Sequence, residues 1–384
     1  MLPLTGVKVV EVAMNLAGPF AGEILAHMGA DVVKVERPEG DDARGWGPPF
    51  WRGTSPTFLA VNSNKRSITL DLKDPQAVAW LKEYVAQADV LVQNLRPGVV
   101  DELGIGPAAM LAVNPRLVYC SLLAFGQSGP MRLRPGYEPM VQAFAGLFMV
   151  SGEEGGPPTR IGTSILDLGT GMWAAIGALA GLVQRQQTGR GCVVDTSLFE
   201  TALAWLSGHF ATFRVSGEPP VRHRTGSPRV VVFQGFETKT GPIIITTAND
   251  RLFAKLAAEL GHPEWAKDPR FATNAQRVTN KDALIGMIEP ILLTRTKGEW
   301  IDRLEQAGVP CAPIQDLREV VAHPQTAALG IIQPVPDLDL ELMGLPISFD
   351  GVRPTIRTAP PAPGQHNEEI VGPARAEEAP RERR

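Results

Sequence analysis

The stretch Ile161-Gly-Thr-Ser-Ile-Leu-Asp167-Leu-Gly-Thr-Gly171 sets one carboxylate among apolar and small residues. Poor hydration raises the energy of such an anion and makes it a stronger nucleophile toward an acyl carbon. Gly169 and Gly171 leave room for a bulky ligand to approach the backbone. Residues 172–183 read as an apolar, small-residue helix closed by Arg185 and the turn Thr188-Gly-Arg-Gly191. A helix start beside Asp167 would offer free N–H groups to a developing oxyanion. The same letters also suit a buried helix-capping aspartate with no chemistry, the commoner use of the residue.

Other groups could serve a site. Lys34, Arg37, Arg44, Lys65, Arg66, Lys73 and Arg96 cluster near the expected carboxyl ends of the early strands. That edge is where open α/β sheets bind ligands, and a cationic rim there suits phosphate. Glu36, Glu39, Asp41 and Asp42 lie among them, so a plain solvated surface fits as well. Tyr137-Glu138 could hydrogen-bond within a site or cap a helix. Trp46 and Trp51 flank a Gly/Pro-rich loop and could stack on an adenine or simply anchor the loop. The histidines are scattered, and no Cys/His grouping has metal-ligand spacing.

The elements that must position these residues alternate. Strand signals fall at 7–12, 30–36, 67–72, 90–93 and 117–122, with helical patterns at 20–28 and 77–88. This alternation predicts an α/β fold with a mostly parallel sheet. Its opening is like a dinucleotide-binding unit, down to Glu36 at the end of the second strand. The first turn reads Asn15-Leu-Ala-Gly18-Pro-Phe-Ala-Gly22, however, and Pro19 removes an N–H that the pyrophosphate turn needs. NAD is therefore not expected. A long helix is expected over 196–213. A change of style follows, with a hairpin from 230–236 and 243–247 and helices at 252–260, 281–293 and 297–307. From 330 the pattern is Pro-rich and irregular. The expected organisation is a large domain over 1–200, a linker helix region at 201–228, a smaller α+β domain over 229–325, a return segment at 326–372 and a disordered tail at 373–384.

Of 384 residues, 44% are hydrophobic and 20% charged, as in ordinary globular chains. The net charge of −4 argues against nucleic-acid binding. Three distant cysteines point to a reducing cytoplasm rather than a disulfide framework. No signal peptide is evident, and the apolar run 171–183 is too short to span a membrane.

In order, the chain carries Gly6-Val-Lys-Val-Val-Glu11, Ala17-Gly-Pro19, Gly29-Ala-Asp-Val-Val-Lys-Val-Glu-Arg-Pro38 and Asp42-Ala-Arg-Gly-Trp46. Asn64-Lys-Arg-Ser-Ile68, Asp71-Leu-Lys73, Asn94-Leu-Arg-Pro-Gly98, Asn114-Pro-Arg-Leu-Val118 and Asp167-Leu-Gly-Thr-Gly171 follow. Thr188-Gly-Arg-Gly191, Asp268-Pro-Arg-Phe271, Arg277-Val-Thr-Asn280, Ala307-Gly-Val-Pro310 and Ala312-Pro313 complete the set. Each motif is weak alone; the ordered set resembles the family III CoA transferases over residues 4–371.

The resemblance implies a Rossmann-like large domain built from both termini, a smaller middle domain, and two chains threaded as interlocked rings. It implies CoA as co-substrate, with an acyl-CoA and a carboxylic acid as partners and no metal. Asp167 becomes the nucleophile. The CoA site falls on Asn15, Leu16, Ala17, Arg37, Leu70, Lys73, Asn94, Leu95 and Leu103, with Trp46, Tyr137, Glu138 and Gly169 toward the substrate. The chain departs from formyl-CoA-using members at Leu16, Glu102 and Pro135, and 223–228 replaces their glycine-rich lid. A racemase relative would need a histidine base near 135–139, and none occurs between His27 and His209. A non-catalytic CoA-binding protein would not need to retain Asp167.

Overall fold

The structure, a computed structural model, describes residues 1–372. The tail expected to be disordered, 373–384, lies outside the described residues. The chain divides into two compact units. One comprises Met1–Leu147, Ile161–Ala211 and the residues from Gln325 onward; the other comprises Phe148–Arg160 and Thr212–Pro324. The stretch expected to link them, 201–228, is shared between the units, and 148–160 joins the second.

The first unit is built on six strands: β1 Lys8–Val12, β2 Asp31–Glu36, β3 Lys65–Thr69, β4 Val90–Gln93, β5 Val118–Leu123 and β6 Cys192–Ser197. All pairings are parallel, in the order β3-β2-β1-β4-β5-β6. The strands are Val-rich because a parallel sheet is covered on both faces. Alternate residues serve opposite layers. Val9, Val32, Val90, Val92 and Val118 pack with the helices Ala17–His27 and Ile165–Thr188. Val10, Val33, Leu91 and Tyr119 pack with Leu81 and Val85 of the helix Pro75–Val85. Each such side chain contributes about 1.5–3 kcal/mol on full burial.

Sheet order reverses between β2-β1 and β4-β5, so a crevice opens beyond the carboxyl ends of β1 and β4.

Two sequence expectations are corrected. The helix begun at 172 in the sequence reading starts at Ile165 and runs 24 residues to Thr188, capped by left-handed Gly189. It is long and apolar enough to cross a membrane, and half of its most apolar window is buried within the protein. The long helix expected over 196–213 is instead the end of β6, then helices Leu198–Trp205 and Ser207–Ser216. β6 was hidden because it is an edge strand with alternating exposure.

In the second unit β7 Phe233–Phe236 and β8 Ile243–Thr246 form the expected hairpin, and β9 Cys311–Pro313 adds a third antiparallel strand. Helices Asp250–Glu259, Lys281–Leu292 and Lys297–Gln306 cover it. Buried Arg277 ties this unit together, donating to the carbonyls of Val231 and Phe271 and to Asp250 at 2.6, 2.8 and 2.7 Å.

Candidate active site

Two adjoining clefts of the first unit open at the switch point. One, of about 390 Å³, is lined by Asn15, Leu16, Ala17, Trp46, Asn94, Tyr137, Glu138 and Asp167. The other, of about 300 Å³, is lined by Leu70, Lys73 and Leu103 with Val12, Val35, Leu72 and neighbours. Met14, Arg37, Leu95 and Val99 line both. Every expected site residue except Gly169 therefore lines one of the two clefts. No histidine is among the lining residues of either. Among the described residues, no group of three or more His, Cys, Asp and Glu side chains could hold a metal ion.

The loop after β1 is held from several sides. Asn94 Oδ1 accepts the Met14 N–H at 2.9 Å, and Asn94 Nδ2 donates to the Met14 carbonyl at 2.7 Å. Asp41 Oδ1 accepts the Asn15 N–H at 2.9 Å. Lys34 Nζ donates to the Ala13 carbonyl at 2.7 Å and pairs with Asp41 at 2.9 Å and Glu11 at 3.0 Å. Burial alone would pull the Lys34 pKa down; Glu11, Asp41 and Glu36 outweigh it and hold Lys34 above its ordinary value.

The expected cationic rim is thinner than its letters suggest. Lys34 and Lys65 are fully buried, and Lys65 is paired with Glu11 at 2.8 Å. Lys65 and Arg66 open β3, whose amino end lies at the sheet edge away from the clefts. Arg66 is bound to Asp31 and Glu369, and Arg44 to Glu36 at 2.7 Å. Arg37, Lys73 and Arg96 remain on the cleft walls. Glu36 is also committed, accepting from Ser67 Oγ at 2.6 Å, the Asp41 N–H at 2.9 Å and Arg44. Burial opposes its charge, but Arg44, Lys34 and Ser67 hold its carboxyl below the usual range.

Asp167 sits in the first turn of the Ile165–Thr188 helix, half-buried. The Ser164 side chain makes no capping bond. Glu138, 3% exposed, accepts the Leu166 N–H at 3.3 Å. The cap that Tyr137-Glu138 suggested thus serves a helix 28 residues further on. Gln142 braces the same place: its Nε2 donates to Glu138 Oε1, and its Oε1 accepts the Ile161 N–H at 3.1 Å. The sequence reading missed Gln142; its i,i+4 spacing from Glu138 was the available signal. The free N–H groups expected beside Asp167 are largely taken. Ile165 donates to Thr163, Leu166 to Glu138 and Leu168 to Ser164.

The side-chain positions of the two glycines are occupied by other helices. A Cβ on Gly169 would lie 2.3 Å from Trp205 Cζ2, and one on Gly171 2.6 Å from the Ala17 carbonyl oxygen. They let helices approach one another, so Gly169 belongs to packing rather than to the cleft wall.

The arrangement can hold an elongated ligand with an apolar end in one cleft and its reactive end near Asp167. Comparison with known proteins points the same way. The family model described as CoA-transferase family III matches residues 4–367. A succinyl-CoA:glutarate CoA-transferase of Mus musculus is 35% identical over 97% of this chain and 86% of that protein. An acetyl-CoA:oxalate CoA-transferase of Acetobacter aceti is 38% identical over 91% of this chain and 90% of that one. Among solved structures, a CAIB/BAIF family protein from Brucella suis superposes with a TM-score of 0.87 at 36% identity, covering 98% of this chain and 99% of that one. The chain belongs to CoA-transferase family III and is a CoA transferase.

Proposed function

We propose that this protein moves CoA between an acyl-CoA donor and a carboxylic acid acceptor through covalent intermediates on Asp167. The observation that carries the reading is that Asp167 and the switch-point residues Asn15, Ala17 and Asn94 line one cleft. The apolar cleft takes the far end of CoA, with Lys73 and Arg37 toward its phosphates.

The Asp167 carboxylate attacks the donor thioester, the C–S bond breaks, and a mixed anhydride and CoA thiolate result. The thiolate attacks the aspartyl carbonyl, releasing the donor acid and leaving an aspartyl-CoA thioester. The acceptor carboxylate attacks that thioester, expelling thiolate and re-forming an anhydride. The thiolate then takes the acceptor acyl group and restores Asp167. One activated acyl bond replaces another at each step, with no net proton transfer. Water must be kept away, since anhydride and thioester both hydrolyse.

An obligate homodimer of interlocked rings is part of this reading. Met172, Trp173, Ile176 and Val183 of the Asp167 helix are 43–58% exposed, an apolar stripe that a second chain would cover. A cytoplasmic location fits three cysteines without disulfides.

Intact-protein mass spectrometry after mixing with a panel of acyl-CoAs, succinyl-CoA first, tests the route. A CoA-sized adduct on the wild type and none on Asp167→Asn is expected. Transfer at the normal rate by Asp167→Asn would overturn it.

A further inference from the structure

Three arginines line the cleft that holds Asp167, and they are not equivalent. Arg37 directs its guanidinium to Asp42 and the Gly40 carbonyl. Arg96 follows Asn94-Leu95 on the β4 side, where Leu95 also borders the apolar cleft. Arg134 lies on the other wall, four residues before Glu138, whose carboxylate holds the N–H next to Asp167. Like Arg96, it lines the Asp167 cleft and not the apolar one, is exposed, and forms no ion pair among the described residues; it differs from Arg96 in its place beside Glu138 rather than beside Leu95. The other carboxylates lining this cleft are engaged: Asp42 by Arg37, and Glu138 by Gln142 and Leu166. A cationic fork thus shares a cavity with the reacting carboxylate. Arg recognises a planar carboxylate bidentately.

An acceptor commits one carboxylate to the aspartyl carbonyl. A second carboxylate on the same molecule is then the anion left to recognise. We infer that Arg134 receives this distal carboxylate and so selects dicarboxylic over monocarboxylic acceptors of equal chain length; the inference rests on the covalent transfer proposed above. Arg134 makes and breaks no covalent bond; it is a specificity residue.

Competition reads this independently of the donor, because both acceptors attack the same aspartyl thioester. Wild type, Arg134→Met and Arg134→Lys are each given one acyl-CoA and an equimolar mixture of glutarate and valerate, and then of succinate and butyrate. The expected result is a wild-type preference for the diacid that falls about 10- to 100-fold in Arg134→Met, the range of a lost charge-assisted pair. Arg134→Lys should fall between, keeping charge without the fork. CoA affinity should be unchanged in all three. A product ratio unmoved by Arg134→Met overturns the inference, as does a wild type that disfavours or ignores both diacids. Weakened CoA binding with an unchanged ratio would assign Arg134 to the CoA phosphates instead. The CoA adduct on Asp167, measured on the same wild-type samples, tests the underlying chemistry separately: its absence overturns the covalent route whatever the ratio does.

Discussion

Glu138 Oε1 accepts the backbone N–H of Leu166 at 3.3 Å, one residue before Asp167. The height of Asp167 in the cleft is therefore set by a buried carboxylate on a different helix, itself braced by Gln142. Removing that acceptor leaves a buried N–H without its partner at the start of the Asp167 helix.

Glu138→Ala should lower kcat about 10- to 100-fold through misplacement of Asp167, with CoA affinity unchanged. Glu138→Gln retains an acceptor oxygen and should recover most of the rate. Steady-state kinetics beside CoA titration check this, and a loss of CoA binding equal to the loss of rate would contradict a positioning role.

Lys34 lies at the centre of the buried charges beneath the β1 loop. Lys34→Met takes the ammonium from Glu11 and Asp41, both fully buried, and should cost about 3–5 kcal/mol. Asp41 also holds the Asn15 N–H, so KM for acyl-CoA should rise as well. The Lys34→Met/Asp41→Asn pair should cost less than the sum of its parts, because the second change removes a stranded charge. Denaturant melts of the single and double variants measure the coupling.

Glu23, Ser63 and His27 form a buried chain, Ser63 Oγ donating to Glu23 at 2.9 Å and lying 2.8 Å from His27 Nε2. Burial pushes Glu23 from 4.5 up to about 8, against Lys65 and Ser63. The folded chain keeps a proton that the unfolded chain releases, so this contribution is complete below 4.5 and lost as pH rises through about 8. His27 has the opposite sign. Burial, with Arg357 and Lys65, lowers it from 6.5 to about 4; its contribution is complete above 6.5 and lost as pH falls through about 4. His27 offsets Glu23 below pH 6.5, so Glu23→Gln should flatten the fall in Tm between pH 6.5 and 8. Scanning calorimetry across that window decides, and an unaltered slope would refute the assignment.

Gly171 and Gly169 should respond differently to alanine. At Gly171 the new Cβ meets a backbone oxygen of the first helix, which cannot turn aside. Gly171→Ala should cost about 1–3 kcal/mol and disturb Ala17 on the cleft wall. At Gly169 it meets chiefly the outer atoms of the Trp205 ring, which is 37% exposed and can swing away. Gly169→Ala should be milder and leave CoA affinity intact; thermal melts with CoA titration compare the two.

Much of this protein is legible in one dimension. Val9-Val10 and Val32-Val33 announce buried parallel strands, since a sheet covered on both faces needs apolar residues in succession. Pro19 at the third position of the first helix removes a donor, whatever the fold does around it. The family resemblance assigned Asn15, Arg37 and Asn94 to CoA and Asp167 to the reaction, and all four line one cleft. The sequence could not tell a buried lysine from a rim lysine. In Val-Val-Lys34-Val-Glu36 the alternation that separates inside from outside is absent, and only the β1–β2 register sets Lys34 opposite Glu11. Nor could it pair Glu138 with Leu166 or Gly171 with Ala17, because those contacts join distant segments whose approach is set by packing. Residue types and local spacing determined which groups could react; the crossing of the sheet and the stacking of its helices decided which of them meet.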